Sequence, residues 1–166
     1  MYNRKTGKGK MTYSHGSVYE GDFKDGKWHG TGKFIYTNGN IYEGDFEDNK
    51  IHGKGKMTYS NGEVYEGDFK DDKRNGKGKM TYSTGDIYEG DFKDNQRHGK
   101  GKITLTNNII SYEGDFKYDQ KRGKGKLYYS NGDIYEGDLD NNVPCGKGKM
   151  TYSDGNIYEG DFDGRW

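Results

Sequence analysis

Three histidines at one position of a repeating pattern are the first residues that could do chemistry. His29, His52 and His98 share this position, and imidazole is a common zinc ligand. Neighbouring copies of the position would lie two strands apart in a sheet, at roughly 10 Å. The ligands of one zinc ion lie within about 2.3 Å of it. We therefore expect no shared metal site and no cofactor.

Glycine-lysine runs and acidic residues also suggest ligand binding or catalysis. The runs, such as Gly-Lys-Gly-Lys at 53–56, resemble phosphate loops, but none continues as G-x-x-x-x-G-K-[ST] or opens a helix. Carboxylates such as Glu66 and Asp68 alternate with glycine and should have lysines opposite them, which keeps them ionised. Because no Ser/His/Asp or Cys/His set is evident, we expect a protein without catalytic residues.

A repeat built on Tyr-Glu-Gly-Asp-Phe must position all of these residues. The pentapeptide starts at residues 19, 42, 65, 88, 112 and 158, and a variant ending in Leu139 starts at 135. Successive starts are 23 residues apart, and once 24. A period of this length is typical of stacked repeats rather than of one closed globular core.

Each repeat predicts one β-hairpin. A run such as Gly-Lys-Gly-Lys-Met-Thr-Tyr-Ser precedes an Asn-Gly type of dipeptide, which supplies the positive φ of a turn, and the pentapeptide follows. A three-residue loop at 60–62 would place Lys56 opposite Glu66. It would also place Lys54 opposite Asp68, whereas a two-residue loop would leave these charges unpaired. The longer loop predicts one Tyr/Phe/Met/Gly face and one Lys/Glu/Asp/Thr face.

The connections between hairpins should be tight reversals. One position of each connection is a glycine, asparagine or aspartate. These residues tolerate left-handed backbone or close an Asx turn. They are Gly26, Asn49, Asp72, Asn95, Asp119 and Asn142. The predicted fold is all-β, a single-layer, elongated antiparallel meander of seven hairpins. With no helix to cover it, the sheet is expected to curl and twist until its rings pack, which leaves a concave groove.

Composition narrows the function classes. Only 28% of the 166 residues are apolar, but 16 Tyr, 7 Phe and 2 Trp provide more ring surface than a disordered chain has. The 27 basic and 27 acidic residues are interspersed, which argues against nucleic-acid binding. No stretch approaches the ~20 apolar residues of a membrane span. The lone Cys145 allows no internal disulfide, so we expect a cytoplasmic protein.

The pattern Tyr-x-Gly-x-Phe, six residues, Gly-x-Gly, and then Asn/Asp-Gly before the next Tyr resembles the MORN repeat (membrane occupation and recognition nexus). The resemblance covers 1–166 as a single array, with a half repeat at 1–18, full repeats starting at 19, 42, 65, 88, 112 and 135, and a half repeat at 158–166. It implies a non-catalytic scaffold that attaches other domains to membrane or cytoskeleton, dimerises and binds partner helices in an elongated groove.

We therefore predict a scaffold that binds a partner helix or extended peptide through an aromatic groove. The alternative interpretation is that such rings are buried in a core. One sheet, however, is not expected to bury all of its tyrosines against itself. Trp28, Ile51 and Val143 would extend the groove along one rim. The predicted partner-binding residues are Tyr19, Phe23, Tyr42, Phe46, Tyr65, Phe69, Tyr88, Phe92, Tyr112, Phe116 and Tyr135.

Two alternative functions and one companion prediction concern the charged face and the chain ends. A peripheral membrane module would bind anionic phospholipid through Lys54, Lys56, Lys77, Lys79, Lys100 and Lys102. This hypothesis is weaker, because a lysine row attracts a membrane only where carboxylates do not balance it. Both ends stop within a repeat, so we also expect a homo-oligomer formed through the terminal strands. A catalytic domain outside this segment is the second alternative.

Overall fold

The computed structural model describes residues 4–106 and 110–164, and all regular secondary structure there is β-strand. The chain forms two compact units, Met1–Ser83 and Thr84–Trp166. Unit 1 contains β1 (Gly7–Thr12), β2 (Val18–Lys24), β3 (Lys27–Ile35), β4 (Ile41–Glu47), β5 (Lys50–Thr58), β6 (Val64–Lys70) and β7 (Lys73–Thr81). Unit 2 contains β8 (Ile87–Lys93), β9 (Gln96–Thr104), β10 (Ile110–Lys117), β11 (Gln120–Tyr129), β12 (Ile134–Asp140), β13 (Val143–Thr151) and β14 (Ile157–Phe162).

Within each unit, neighbouring strands pair antiparallel in chain order. The predicted all-β antiparallel meander of hairpin repeats is thus confirmed. The grouping of residues 1–166 into a single array stays a prediction.

The hairpin register is the one that the charge pattern predicted. Lys56 lies opposite Glu66, and Lys54 lies opposite Asp68. The loop spans three residues, because Gly62 N–H donates to the Tyr59 carbonyl at 3.0 Å and Gly62 has a φ of +89°. Glycine occupies this left-handed conformation without the steric cost that a Cβ would add. One face of each hairpin is therefore charged, and the other is aromatic.

The connections between hairpins are two-residue turns, and several of them also bond to the preceding repeat. Asp48 and Asn49 have φ of 50° and 69°, as in a type I′ turn. Asn49 N–H donates to the Trp28 carbonyl at 3.2 Å, and Asn49 Oδ1 accepts from Trp28 N–H at 2.9 Å. The side chain thus acts as one more carbonyl of the strand ladder. The same arrangement joins Asp72 with Ile51, Asp119 with Arg97, and Asn142 with Lys121.

A β-bulge follows the glycine of the pentapeptide in the pairing with the next strand. Gly44 pairs with Gly55, but the next pair is Phe46 with Ile51, so three residues of β5 face one residue of β4. Gly53, in the bulge, has a φ of +73°. Register shifts lie at equivalent places in the other repeats, between 21 and 23, 67 and 69, 90 and 92, 114 and 116, and 137 and 138.

The core of each repeat is a tyrosine ring lying on a pair of glycines. A Cβ on Gly55 would lie 2.5 Å from Tyr42 Cε2, so only glycine leaves room for the ring. The ring centroid of Tyr42 also lies 5.0 Å from that of Phe46 and 5.2 Å from that of Phe69, both edge to face. Because Phe69 belongs to the next repeat, neighbouring repeats share one core.

Candidate functional site

The eleven rings predicted to bind a partner lie in the core. The six tyrosines have no exposed surface, and the five phenylalanines are 3–6% exposed: Tyr19, Tyr42, Tyr65, Tyr88, Tyr112 and Tyr135, with Phe23, Phe46, Phe69, Phe92 and Phe116. Their expected exposure was wrong, because glycine pairs let each tyrosine lie flat under its neighbours. Direct contact of these rings with a partner stays an untested prediction, and the accessible surface belongs to other residues.

Each buried phenol is a satisfied hydrogen-bond donor. Tyr42 Oη donates to the Asp45 carbonyl at 3.0 Å, and Tyr19 Oη donates to the Asp22 carbonyl at 2.7 Å. Burial, together with the nearby Asp22 carboxylate, raises the pKa of Tyr19 to about 12. Burial is also the main reason that the pKa of Tyr135 rises to about 12. These hydroxyls therefore stay protonated and hold the backbone at the bulge.

Two rows of side chains flank the buried centre of the aromatic face, and their half-buried and exposed members form its accessible layer. The tyrosine row, next to the hairpin loops, contains half-buried Tyr13, Tyr36, Tyr59 and Tyr82 in unit 1, and Tyr129 and exposed Tyr152 in unit 2. The connector row, next to the turns between repeats, contains Trp28, Ile51 and Arg74 in unit 1, and Arg97, Lys121 and Pro144 in unit 2. Buried Phe34, Met57, Met80, Ile103, Leu127 and Met150 lie between the rows.

Trp28 connects the two rows in unit 1. Its ring stacks on that of Tyr19, with centroids 5.1 Å apart and an interplanar angle of 17°. Its indole Nε1–H donates to the hydroxyl of Tyr13 at 2.9 Å. The orientation of the Trp28 ring is therefore fixed by contacts within the chain. Of the other predicted rim residues, Ile51 is buried, and Val143 is 37% exposed.

The other three residues of the connector row, Arg74, Arg97 and Lys121, are cations. The Arg74 guanidinium lies 5.6 Å from the Tyr65 ring centroid, and that of Arg97 lies 5.7 Å from the Tyr88 centroid. Lys121 Nζ lies 5.3 Å from the Tyr112 centroid. These distances fit cation–π contacts. The sequence analysis missed these residues, although aligning the repeats on their phenylalanines places each cation five residues after one.

The lysines predicted to bind lipid lie on the charged face, where carboxylates face them. Ion pairs join Lys54 with Asp68, Lys56 with Glu66 at 2.8 Å and Lys100 with Asp115 at 2.6 Å between Nζ and the carboxylate oxygen. Lys77 and Lys79 are exposed on β7, and Lys102 lies opposite both Glu89 and Glu113 in the strand register. This face therefore has an alternating charge pattern rather than a polybasic one.

A shallow depression of about 690 Å³ lies on the charged face of unit 1. Two of its lysines have a carboxylate nearby, with Lys10 Nζ 3.8 Å from Glu20 and Lys33 Nζ 3.1 Å from Glu43. The concave groove was expected on the aromatic side. In unit 1 the depression lies on the opposite side, because rings fill the aromatic side.

The structure assigns no metal centre or membrane-spanning element to residues 4–106 and 110–164. In these residues no group of three or more His, Cys, Asp or Glu side chains could hold a metal ion. His52 lies next to an acidic residue instead, with Nε2 3.7 Å from Glu47 Oε2. The same part of the chain contains no helix long and apolar enough to cross a membrane.

Comparison with family models agrees with this repeating core. The model of the MORN repeat matches residues 1–18, 19–41, 42–64, 65–87, 88–109, 112–134 and 135–157. The chain belongs to the MORN-repeat family. A comparison with curated proteins found no match to this MORN-repeat chain.

Solved structures resemble the fold of this MORN-repeat protein. One is the SAS-4 (dCPAP) TCP domain of Drosophila melanogaster in complex with a proline-rich motif of Ana2 (dSTIL), at 17% identity and a TM-score of 0.52. The match covers 96% of this chain and 83% of that chain. A point mutant of the TCP10 domain of Danio rerio CPAP matches at 12% identity and a TM-score of 0.54, over 92% of this chain and 71% of that one. At these identities the likeness is one of fold.

Proposed function

We propose that this MORN-repeat protein is a non-catalytic scaffold whose aromatic face binds a segment of a partner protein, either a helix or an extended peptide. The observation that carries the proposal is the accessible layer of tyrosines, Trp28 and cations above the buried core. No helix of the described residues covers this layer. Amphipathic rings and cations of this kind are the residues that most often anchor protein interfaces.

A solved complex of a protein with a similar fold supports a peptide as the partner. The SAS-4 TCP domain, whose structure contains a proline-rich motif of Ana2, has a sheet of similar fold. Aromatic surfaces bind extended and proline-rich segments through stacking and through the tyrosine hydroxyls. Preformed contacts, such as that of Trp28 Nε1 with Tyr13, lower the entropy that binding would otherwise lose.

A companion proposal is self-association through the edge of β14. Ile157 is 58% exposed and Tyr158 is 45% exposed, whereas the equivalent tyrosines of the other repeats are fully buried. A strand whose apolar residues are exposed in this way favours pairing with a strand of another chain. Multi-angle light scattering would test this. A dimer that becomes monomeric in Tyr158→Lys would support it, and a wild-type monomer at high concentration would contradict it.

We further propose a cytoplasmic location, with attachment to cytoskeleton or membrane through partner proteins. Direct binding of anionic phospholipid is the alternative proposal, and the ion pairs of the charged face weaken it. A polybasic surface gains about 1 kcal/mol per cation only where its charge is not balanced.

Selection of peptides tests the main proposal. A random peptide library displayed on phage would be selected on the wild-type chain, and the recovered peptides would be measured against two double variants. Tyr36→Ser with Tyr59→Ser changes the aromatic face, and Lys54→Glu with Lys77→Glu changes the charged face. We expect roughly tenfold or greater loss of affinity with the tyrosine pair and little loss with the lysine pair. Circular dichroism would verify that both variants are folded.

Two results would contradict the proposal. One is a wild-type chain that selects no peptide. The other is wild-type binding to phosphatidylserine vesicles that is abolished by the lysine pair and by salt, with no peptide binding, which would favour the membrane alternative.

A further inference from the structure

Lys121 is a half-buried cation with no counter-ion in the described part of unit 2. Its ammonium group lies over the ring of Tyr112, with Nζ 5.3 Å from the centroid. The charged group that acts on it most is another cation, the guanidinium of Arg97. Burial and this guanidinium lower the pKa of the Lys121 ammonium. Cations that are largely removed from water are normally paired with an anion.

The preceding repeat shows how the same position is neutralised. Arg97 occupies the position of Lys121 one repeat earlier, and its side chain is 21% exposed. Asp119, in the next turn, accepts from Arg97 N–H at 2.9 Å and from Arg97 Nε at 3.2 Å. The carboxylate of the turn thus supplies both a ladder bond and a counter-ion.

The turn after Lys121 supplies only the ladder bond. Asn142 replaces the aspartate, and its Oδ1 accepts from Lys121 N–H at 2.9 Å. The amide is neutral and cannot balance the ammonium. Lysines of the charged face in the same unit have counter-ions, as in Lys124 Nζ, which lies 2.7 Å from Asp138 Oδ1. Within unit 2, Lys121 therefore differs both from Arg97 in its own row and from Lys124 on the charged face, each of which has a counter-ion.

The surroundings of Lys121 favour a carboxylate on an otherwise apolar segment. Asp119 offsets one of the two cations, Arg97 and Lys121, which leaves a single positive charge. Leu127, between the two rows, and Pro144, the next residue of the connector row, are both buried. A single carboxylate matches this charge, whereas a phosphate group would exceed it.

We propose that Lys121 binds an Asp or Glu side chain of the partner peptide, so that the aromatic face of unit 2 selects segments that combine apolar residues with one acidic residue. This inference rests on the proposed function of that face. The acidic side chain would add specificity to contacts that the rings make with many sequences.

The test compares peptide selections on the full chain and on three variants. Lys121→Gln removes the cation, and Asn142→Asp supplies the internal counter-ion that the preceding repeat has. Lys124→Gln is the control, because it removes a cation from the charged face. We expect acidic residues to be enriched in peptides selected on the wild type and on Lys124→Gln. The enrichment should disappear on Lys121→Gln and on Asn142→Asp.

A synthetic peptide from the wild-type selection adds a quantitative measurement. Replacing its acidic residue by the corresponding amide should weaken binding to the wild type by about tenfold, and binding to Lys121→Gln by less than about twofold. Equal acidic enrichment on the wild type and Lys121→Gln would overturn the inference and leave peptide binding intact. So would peptides without an acidic preference. A wild type that selects no peptide would overturn the proposed function and this inference together.

Discussion

The hydroxyl of Tyr42 donates a hydrogen bond to the backbone carbonyl of Asp45, three residues further along the same strand. The ring therefore does two things at once, because it covers Gly44 and Gly55 and it satisfies a carbonyl at the bulge. Asp45 Oδ2 accepts from Lys54 N–H on the other side of the bulge at 2.9 Å. A side chain from the core and a side chain of the charged face thus fix the same backbone segment.

Removing the hydroxyl tests the first of these roles. Tyr42→Phe leaves the part-buried Asp45 carbonyl without this donor, and we expect the free energy of unfolding to fall by about 1–3 kcal/mol. The matched control is Tyr158→Phe, which removes the equivalent hydrogen bond from a ring that is 45% exposed. Water can replace the lost donor there, so the loss should be smaller. Urea unfolding followed by circular dichroism measures both, and equal losses would contradict the burial argument.

Adding a methyl group under the ring tests the glycine pair. Gly55→Ala places a Cβ against the ring of Tyr42, so the ring must move and its packing and hydrogen bond are lost. We expect a loss of about 3 kcal/mol or more, at the upper end of overpacking effects.

The control for this substitution is Gly62→Ala. Its Cβ would meet nothing within 4 Å, but the backbone φ is +89°, so the cost is left-handed strain of about 1–2 kcal/mol. Thermal unfolding of the two variants would compare the effects. A Gly62→Ala variant less stable than Gly55→Ala would argue that backbone conformation, rather than space for the ring, explains the glycines.

A third prediction concerns the residues of the turns between hairpins. Asn49→Gly keeps a residue that accepts left-handed backbone but removes the acceptor of Trp28 N–H, and Gly26 is the natural equivalent in the first turn. We expect a loss of about 0.5–1.5 kcal/mol. Asn49→Ala should lose more, because alanine also carries the strain of positive φ. Hydrogen exchange of the Trp28 amide should accelerate in both variants, and an unchanged exchange rate would refute the proposed ladder bond.

Acid should destabilise the protein through its turn and bulge aspartates. The N–H of Thr31 and then the ammonium of Lys8 hold the pKa of Asp22 below its usual value, and the N–H of Thr106 does the same for the pKa of Asp86. A carboxylate with a lowered folded-state pKa contributes its full stability above the unfolded pKa of about 4. That contribution disappears as the pH falls through the folded-state pKa.

Urea midpoints measured from neutral pH to acid would check this sign. Asp22→Asn keeps an oxygen for Thr31 but removes the charge, so the variant should be less stable than the wild type at neutral pH. The two midpoints should converge as the pH falls below about 4. Midpoints that diverge in acid would show that Asp22 does not titrate as expected.

The sheet was predicted well because its two faces and its loop length depend on residues within a single hairpin. Alternation fixes the two faces, and the charge pairing of Lys56 with Glu66 selects the three-residue loop. The bulge after the pentapeptide glycine was not predicted, because it depends on the carboxylate of Asp45 reaching a backbone N–H on the next strand. The sequence pattern alone does not specify such a contact.

The rings predicted to bind a partner lie on the aromatic face, as the strand alternation predicted, but they lie in the core rather than at the surface. Tyr42 and Tyr59 both lie on the aromatic face, yet only Tyr59 belongs to the accessible layer. The difference arises from the glycine pair, which makes a hollow for Tyr42, and from Phe69, which comes from the next repeat to cover it. Paired glycines on one face also predict that rings can lie over the backbone, and Gly44 and Gly55 confirm this for Tyr42.

The sharing of a phenylalanine between neighbouring repeats also bears on how such a chain can change its length. A whole repeat, inserted or duplicated, brings one tyrosine and one phenylalanine, so it fits the existing packing on both sides without new side chains. A single residue inserted within a strand would instead exchange the charged and aromatic faces from that point onward. Evolution can therefore lengthen the aromatic face in steps of one repeat, and the connector row is free to acquire a different residue with each copy.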